Sequence, residues 1–89
     1  MLVTGASGFL GRHVAQRAIS AGWNVVAPSS RSMDITDRPA TMTAITESKP
    51  DVVVHLAYRK DDRRVIVDGT RHVAEAADTA RCRFVHVST

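Results

Sequence analysis

Three glycines near the start of the chain constrain its fold more than any other feature. Gly5, Gly8 and Gly11 are spaced three residues apart, between a short apolar run (Leu2 and Val3) and an amphipathic segment. This order predicts a β-strand, a tight turn and the start of an α-helix. Glycine at the first position can adopt the backbone angles of a tight turn, and glycine at the third lets the helix pack closely on the strand.

The same turn has the composition of a loop that binds pyrophosphate. At Gly8 the main chain can approach a phosphate with no side chain between them, and the free N–H groups of the first helical turn then face the anion. The spacing is GxxGxxG rather than the commoner GxGxxG, so a purely structural turn is the alternative. We predict a dinucleotide site whose cofactor-binding residues here are Gly5, Ser7, Gly8, Phe9, Leu10 and Gly11.

Composition limits the other classes of function. The 89 residues suffice for one domain, and a single cysteine, Cys82, excludes an intrachain disulfide. No signal peptide or apolar run of membrane-spanning length occurs, so we expect a cytoplasmic protein without a membrane partner. The formal charge is +3, with arginines scattered and few aromatic residues between them, which does not favour nucleic-acid binding.

The rest of the chain alternates between strand and helix patterns. Besides the strand before the glycine turn, strands are predicted at 24–27, 33–37 (very short), 51–57 and 83–89. The unbroken apolar run of the 51–57 strand places it at the centre of a parallel sheet. One helix follows the glycine turn and stops at Gly22. The alternation predicts an α/β fold of the Rossmann type: a right-handed, doubly wound parallel sheet, ending after about its fifth strand.

Two further helices are predicted between these strands. Asp37 or Thr36 can cap the first, whose opening turn suits Pro39 and which ends before Lys49 and Pro50. The second covers about 65–80, where Gly69 suggests a close approach to a neighbouring element.

Arg31 lies where dinucleotide folds usually carry an acidic residue that binds the adenosine ribose, 20 positions beyond Gly11. An arginine beside serine hydroxyls, Ser30 among them, suits a 2′-phosphate instead, because the guanidinium can make a bidentate contact. The sequence therefore favours NADP over NAD as the cofactor. The alternative is that Arg31 is a solvated loop charge.

The four histidines have no cysteine or histidine neighbours at metal-ligand spacing, and no metal site is predicted. His55, inside the most apolar strand, is interpreted as a packed or cofactor-adjacent side chain.

Over its whole length the chain resembles the N-terminal part of an extended short-chain dehydrogenase/reductase. Within that superfamily it is most similar to the branch of dTDP-4-dehydrorhamnose reductases and other sugar-nucleotide-binding proteins, the NAD-dependent epimerase/dehydratase group. The resemblance is carried by residues 4–11 (TGASGFLG), 34–37 (DITD), 50–58 (PDVVVHLAY), 67–77 (VDGTRHVAEAA) and 84–89 (FVHVST).

The resemblance also implies roles for single residues. Asp34 would contact the adenine, with Ile35 beside it, and the end of the 51–57 strand would lie along the cofactor's ribose. Thr89 falls at the family's catalytic Ser/Thr, whose hydroxyl binds the substrate oxygen while a downstream Tyr transfers the proton. The further cofactor-binding residues that this implies are Leu56, Ala57, Tyr58 and Ser88.

Two departures from the family pattern bear on catalysis. The Tyr-x-x-x-Lys pair does not occur, since Tyr58 has Asp62 four residues on, and Ile66 replaces an Asn of the long helix. We therefore expect residues 1–89 to be the NAD(P)-binding domain of a larger enzyme whose C-terminal substrate part is absent, and to be inactive alone.

The implied activity is an NAD(P)-dependent reduction of the 4-keto group of a nucleotide sugar. An epimerase or dehydratase of the same fold and a non-catalytic dinucleotide-binding module are the alternatives. Family members often form homodimers, but no feature of this sequence indicates one.

Overall fold

A parallel three-stranded sheet with helices on both faces forms the body of the molecule. The computed structural model describes residues 1–6, 8–29, 32–56 and 63–87, without the side chains of 63–65. The elements in chain order are β1 (Leu2–Thr4), α1 (Phe9–Ser20), α2 (Arg38–Ser48), β2 (Val52–His55), α3 (Arg63–Thr79) and β3 (Arg83–His86). The strands pair in the order β1-β2-β3, and both pairings are parallel. The α/β class and the parallel sheet predicted from the sequence are confirmed.

Strand β2 lies at the centre of the sheet, as its apolar run predicted. Leu2 pairs with Val53 on one side, Phe84 pairs with Val53 on the other, and all four residues of β2 are buried. Because side chains alternate across a strand, the two faces of the sheet carry separate apolar clusters. One contains Leu2, Val53 and Ile45 of α2 with the small residues of α3, and the other contains Val3 and Val54 with Val14 of α1.

Two predicted strands are not strands in the described structure. Segment 24–27 runs beside β1 on the side away from β2, but it makes only an isolated bridge between Val26 and Leu2. Pro28 has no N–H to extend this pairing. In segment 33–37, Asp34 Oδ1 instead accepts the Thr36 N–H at 3.0 Å, so a local turn replaces a strand ladder. The described sheet thus has three strands and one bridge rather than five strands.

The ends of α2 form as the sequence predicted. Asp37 is the N-cap, and its Oδ1 accepts the backbone N–H of Ala40 at 3.1 Å. Lys49 ends the helix in the left-handed conformation (φ 46°), directly before Pro50. An exposed ion pair, Arg38 Nε to Glu75 Oε2 at 2.9 Å, joins α2 to α3, and this hydrogen bond lowers the pKa of Glu75.

Gly69 of α3 lies against the segment that precedes α2. A Cβ at this position would stand 2.5 Å from Ile35 Cδ1, which confirms the predicted close approach. His72 Nδ1 also donates a hydrogen bond to the Ile35 carbonyl at 2.7 Å, since that oxygen can only accept. These two contacts fix Ile35 on α3.

His55, the last residue of β2, is a buried side chain with partners on both ring nitrogens. Its Nδ1 lies 2.7 Å from Thr4 Oγ1 and its Nε2 lies 2.9 Å from Thr70 Oγ1. Burial, together with the nearby His86, lowers the pKa of His55 to about 4. His55 is therefore neutral at pH 7, and its interpretation as a packed histidine is confirmed.

This lowered pKa predicts that acid destabilises the chain. The unfolded chain binds a proton at His55 near pH 6.5 and the folded chain only near pH 4, so folding stability falls as the pH drops between these values. Between pH 7 and 4, the free energy of unfolding should fall by about 3 kcal/mol more in the wild type than in His55→Asn. Urea unfolding followed by circular dichroism measures this difference. His13→Gln, on the exposed side of α1, is the control and should keep the wild-type profile.

Parallel stability curves for the wild type and His55→Asn would contradict this account of His55.

Candidate functional site

The glycine turn reverses the chain directly after β1. Gly5 has φ 73°, in the left-handed region that side chains disfavour, and its carbonyl accepts the N–H of Gly8 at 3.1 Å. Gly8 is the N-cap of α1, which begins at Phe9. The first turn of α1 therefore lies immediately after the carboxyl end of β1.

Gly11 allows α1 to start this close to the turn. A Cβ on Gly11 would overlap the carbonyl oxygen of Gly5 and stand 2.7 Å from the Cα of Ala6. These are backbone atoms, which cannot swing aside as a side chain can. The sequence predicted that Gly11 packs the helix on the strand, whereas the contact is with the turn itself.

Gly8 differs from Gly11 because nothing in the described fold occupies the space beside it. A Cβ there would meet only the Gly5 oxygen, at 3.5 Å, which is an ordinary contact. Its φ of −78° is also open to any residue. The described part of the fold therefore does not require glycine at this position and leaves the space beside it open.

The start of α1 is exposed and has no acidic side chain in its first turn. Phe9 is 93% exposed and Leu10 is 39% exposed. Since an uncapped helix N-terminus carries free N–H donors and the positive end of the helix dipole, this end of α1 favours an anion.

The ends of β1 and β2 meet at the same edge of the sheet. The N–H of Leu56, the residue after β2, donates to both the carbonyl and Oγ1 of Thr4, at 3.2 and 3.1 Å. After β1 the chain passes through α1 to the segment at Val26, which lies on one side of β1. It then passes through α2 to β2, which lies on the other side of β1. The β1/β2 junction is thus the topological switch point, where open α/β sheets bind their ligands.

The structure describes only some of the residues predicted to contact the cofactor outside the glycine turn. Asp34 is exposed, and its Oδ1 also accepts the Thr36 hydroxyl at 2.6 Å, while Ile35 packs on α3. The side chain of Leu56 is buried in the cluster around Val3. The predicted site residues that lie outside the described residues are Ser7, Ser30, Arg31, Ala57, Tyr58, Ser88 and Thr89.

Thr4 was not among the predicted site residues. Its hydroxyl makes hydrogen bonds to both the Leu56 N–H and His55 Nδ1, one residue before the glycine turn begins. A hydroxyl residue at the end of an apolar strand, one position before the first glycine, is the signal that could have indicated it.

Within the described ranges, no group of three or more acidic, histidine or cysteine side chains could hold a metal ion. None of the helices in these ranges is long and apolar enough to span a membrane.

Comparisons with known proteins agree with this geometry. The dTDP-4-dehydrorhamnose reductase of Aggregatibacter actinomycetemcomitans is 33% identical over 100 aligned positions, which cover all of this chain and 34% of that protein. GDP-L-fucose synthase of Azorhizobium caulinodans is 39% identical over 57 positions, covering 64% of this chain and 18% of that protein. The chain thus spans about a third or less of the length of these curated relatives.

A solved structure shows the same fold. The crystal structure of dTDP-4-dehydrorhamnose reductase from Bacillus anthracis in complex with NADP superimposes with a TM-score of 0.86. It covers 98% of this chain and 35% of that one, at 22% identity. The sequence profile of the NAD dependent epimerase/dehydratase family matches residues 1–89. Since that match extends over the entire sequence, the chain belongs to the NAD dependent epimerase/dehydratase family.

Proposed function

We propose that this chain is the dinucleotide-binding part of an NAD(P)-dependent oxidoreductase that acts on a nucleotide sugar. The observation that carries the proposal is the open space at Gly8, beside the exposed start of α1 and at the switch point of the sheet. Packing gives no reason for a glycine at position 8, whereas a pyrophosphate that approaches the main chain does. The family's description as NAD dependent supports the same ligand.

NADP is the proposed cofactor, with NAD as the alternative. The proposal depends on Arg31 and Ser30, whose guanidinium and hydroxyl suit a 2′-phosphate. The solved neighbour from Bacillus anthracis holds NADP, but at 22% identity that likeness concerns the fold alone.

The proposed reaction of the whole protein is hydride transfer to the 4-keto carbon of the sugar. The relative from Aggregatibacter is a dTDP-4-dehydrorhamnose reductase, and its alignment covers all of this chain. The cofactor supplies the hydride, and we assign to the Thr89 hydroxyl a hydrogen bond to the substrate oxygen. The family's Tyr-x-x-x-Lys pair does not occur in this sequence, so residues 1–89 alone are expected to bind without turnover.

An epimerase or dehydratase on the same site is the second candidate, and the description of the matched family as epimerase/dehydratase supports keeping it. A non-catalytic dinucleotide-binding module is the third, because the proton-donor pair is not in these residues. From the sequence we expect a cytoplasmic protein, and from the family resemblance we expect a homodimer.

A substitution at Gly8 tests whether the turn binds pyrophosphate. Gly8→Val should abolish binding of both NADPH and NADH while leaving the circular dichroism spectrum that of a folded chain, because the added Cβ meets only the Gly5 oxygen, at an ordinary 3.5 Å. Isothermal titration calorimetry with each coenzyme measures this. The contrasting variant is Gly11→Ala, whose Cβ overlaps the Gly5 backbone and should destabilise the fold by about 1–3 kcal/mol.

If Gly8→Val retains wild-type affinity for both coenzymes, the turn has a structural role only and the proposed function fails.

A substitution at Arg31 tests the choice of cofactor. Arg31→Ala should weaken NADPH binding by about 1–3 kcal/mol, because a charge-assisted contact to the 2′-phosphate is lost, and should leave NADH binding nearly unchanged. Arg17→Ala removes the same charge from the last turn of α1, at the far end of that helix, and should affect neither coenzyme. Equal losses for NADPH and NADH in Arg31→Ala would contradict the assignment.

A further inference from the structure

Two hydrogen bonds, one buried and one part-buried, join α3 through His55 to Thr4, the residue before the glycine turn. We call Thr4, His55 and Thr70 the His55 relay. Thr4 Oγ1 lies 2.7 Å from His55 Nδ1, and His55 Nε2 lies 2.9 Å from Thr70 Oγ1. Thr4 directly precedes Gly5, and Thr70 belongs to α3. The relay therefore spans the ends of β1 and β2 and the helix that covers them.

The directions of these bonds follow from the donors available. The Leu56 N–H can only donate, so Thr4 Oγ1 accepts it, at 3.1 Å. Among the described residues, His55 Nδ1 is the one hydrogen-bond partner of Thr4 Oγ1 that can accept its proton. Because Thr4 is buried and a buried hydroxyl without an acceptor costs free energy, we assign the Thr4 proton to this bond, which makes Nδ1 unprotonated. A neutral imidazole carries its single proton on the other nitrogen, so Nε2–H donates to Thr70 Oγ1. Among the described residues, no buried side-chain nitrogen or oxygen lacks a partner.

His55 can influence a ligand only through its neighbours. Its side chain is 0% exposed, so it cannot touch a bound molecule directly. Its partner Thr4 holds the Leu56 N–H through both the carbonyl and the hydroxyl, which sets the spacing between the ends of β1 and β2. The glycine turn follows Thr4 directly, so this spacing bears on the open space beside Gly8.

We propose that His55 is a positioning residue for the dinucleotide site: by accepting the Thr4 hydroxyl proton, it holds the ends of β1 and β2 at the separation that the dinucleotide requires. This inference rests on the proposed function.

Two substitutions at His55 separate positioning from simple packing. His55→Asn places an amide near the former Nδ1 and keeps a partner for Thr4, whereas His55→Leu fills the space with apolar atoms and leaves the Thr4 hydroxyl without an acceptor. We expect His55→Leu to weaken NADPH binding about tenfold and His55→Asn by less than about threefold. A packing role predicts the opposite order, because leucine suits a buried site better than asparagine.

The measurement is isothermal titration calorimetry of the 89-residue chain and its variants, corrected for the folded fraction found by circular dichroism. If the wild type binds NADPH and His55→Leu binds as tightly as His55→Asn, the positioning role fails while the proposed function stands. If the wild type binds neither NADPH nor NADH, the proposed function fails and the positioning role fails with it.

Two further measurements apply where a His55 variant does not fold. Thr4→Ser keeps the hydroxyl and should bind NADPH like the wild type, whereas Thr4→Val loses it and should bind about tenfold more weakly; equal affinities would overturn the proposal. The ¹⁵N spectrum of the wild-type chain should show His55 with an unprotonated Nδ1 and a protonated Nε2. A protonated Nδ1 at pH 7 would overturn the relay.

Discussion

The close contact between Gly11 and the backbone of the glycine turn is the constraint on which the rest of the structure depends. Helix α1 can begin directly after β1 only because no side chain stands between its first turn and the Gly5 carbonyl. This arrangement places the start of α1 at the carboxyl end of β1, where the end of β2 also lies. A single Cβ at Gly11 would push the helix away and open the site before any ligand entered it.

Burial of β2 on both faces is the second requirement, and it explains the layers of the fold. A strand with four buried residues needs apolar cover on both sides, which α1 supplies on one face and α2 and α3 on the other. His55 is the exception in that apolar run. It is accommodated because Thr4 and Thr70 satisfy both ring nitrogens and because it stays neutral.

Features encoded within a few neighbouring residues could be predicted from the sequence. The glycine turn, the Asp37 cap and the helix end before Pro50 each depend on residues close in the chain, and all three are found. The strands predicted at 24–27 and 33–37 were wrong. Whether a strand forms at Val26 or a turn at Asp34 depends on competition between local hydrogen bonds and a distant partner strand.

The partners of His55 lie 51 and 15 residues away in the chain, a distance at which spacing rules carry no information. The roles of Arg31 and Thr89 depend on a ligand and stay predictions.

The register of the sheet has a consequence for how the chain folds. Leu2 pairs with Val53, so β1 cannot join the sheet until a loop of about fifty residues has closed. Closing such a loop costs about 3.5 kcal/mol of chain entropy, which must be met before the pairing contributes. The helices between the two strands need no such closure and can form earlier. Because the proposed dinucleotide site lies between β1 and β2, we expect it to be assembled late in folding, and a coenzyme would then bind only the chain that has completed this step.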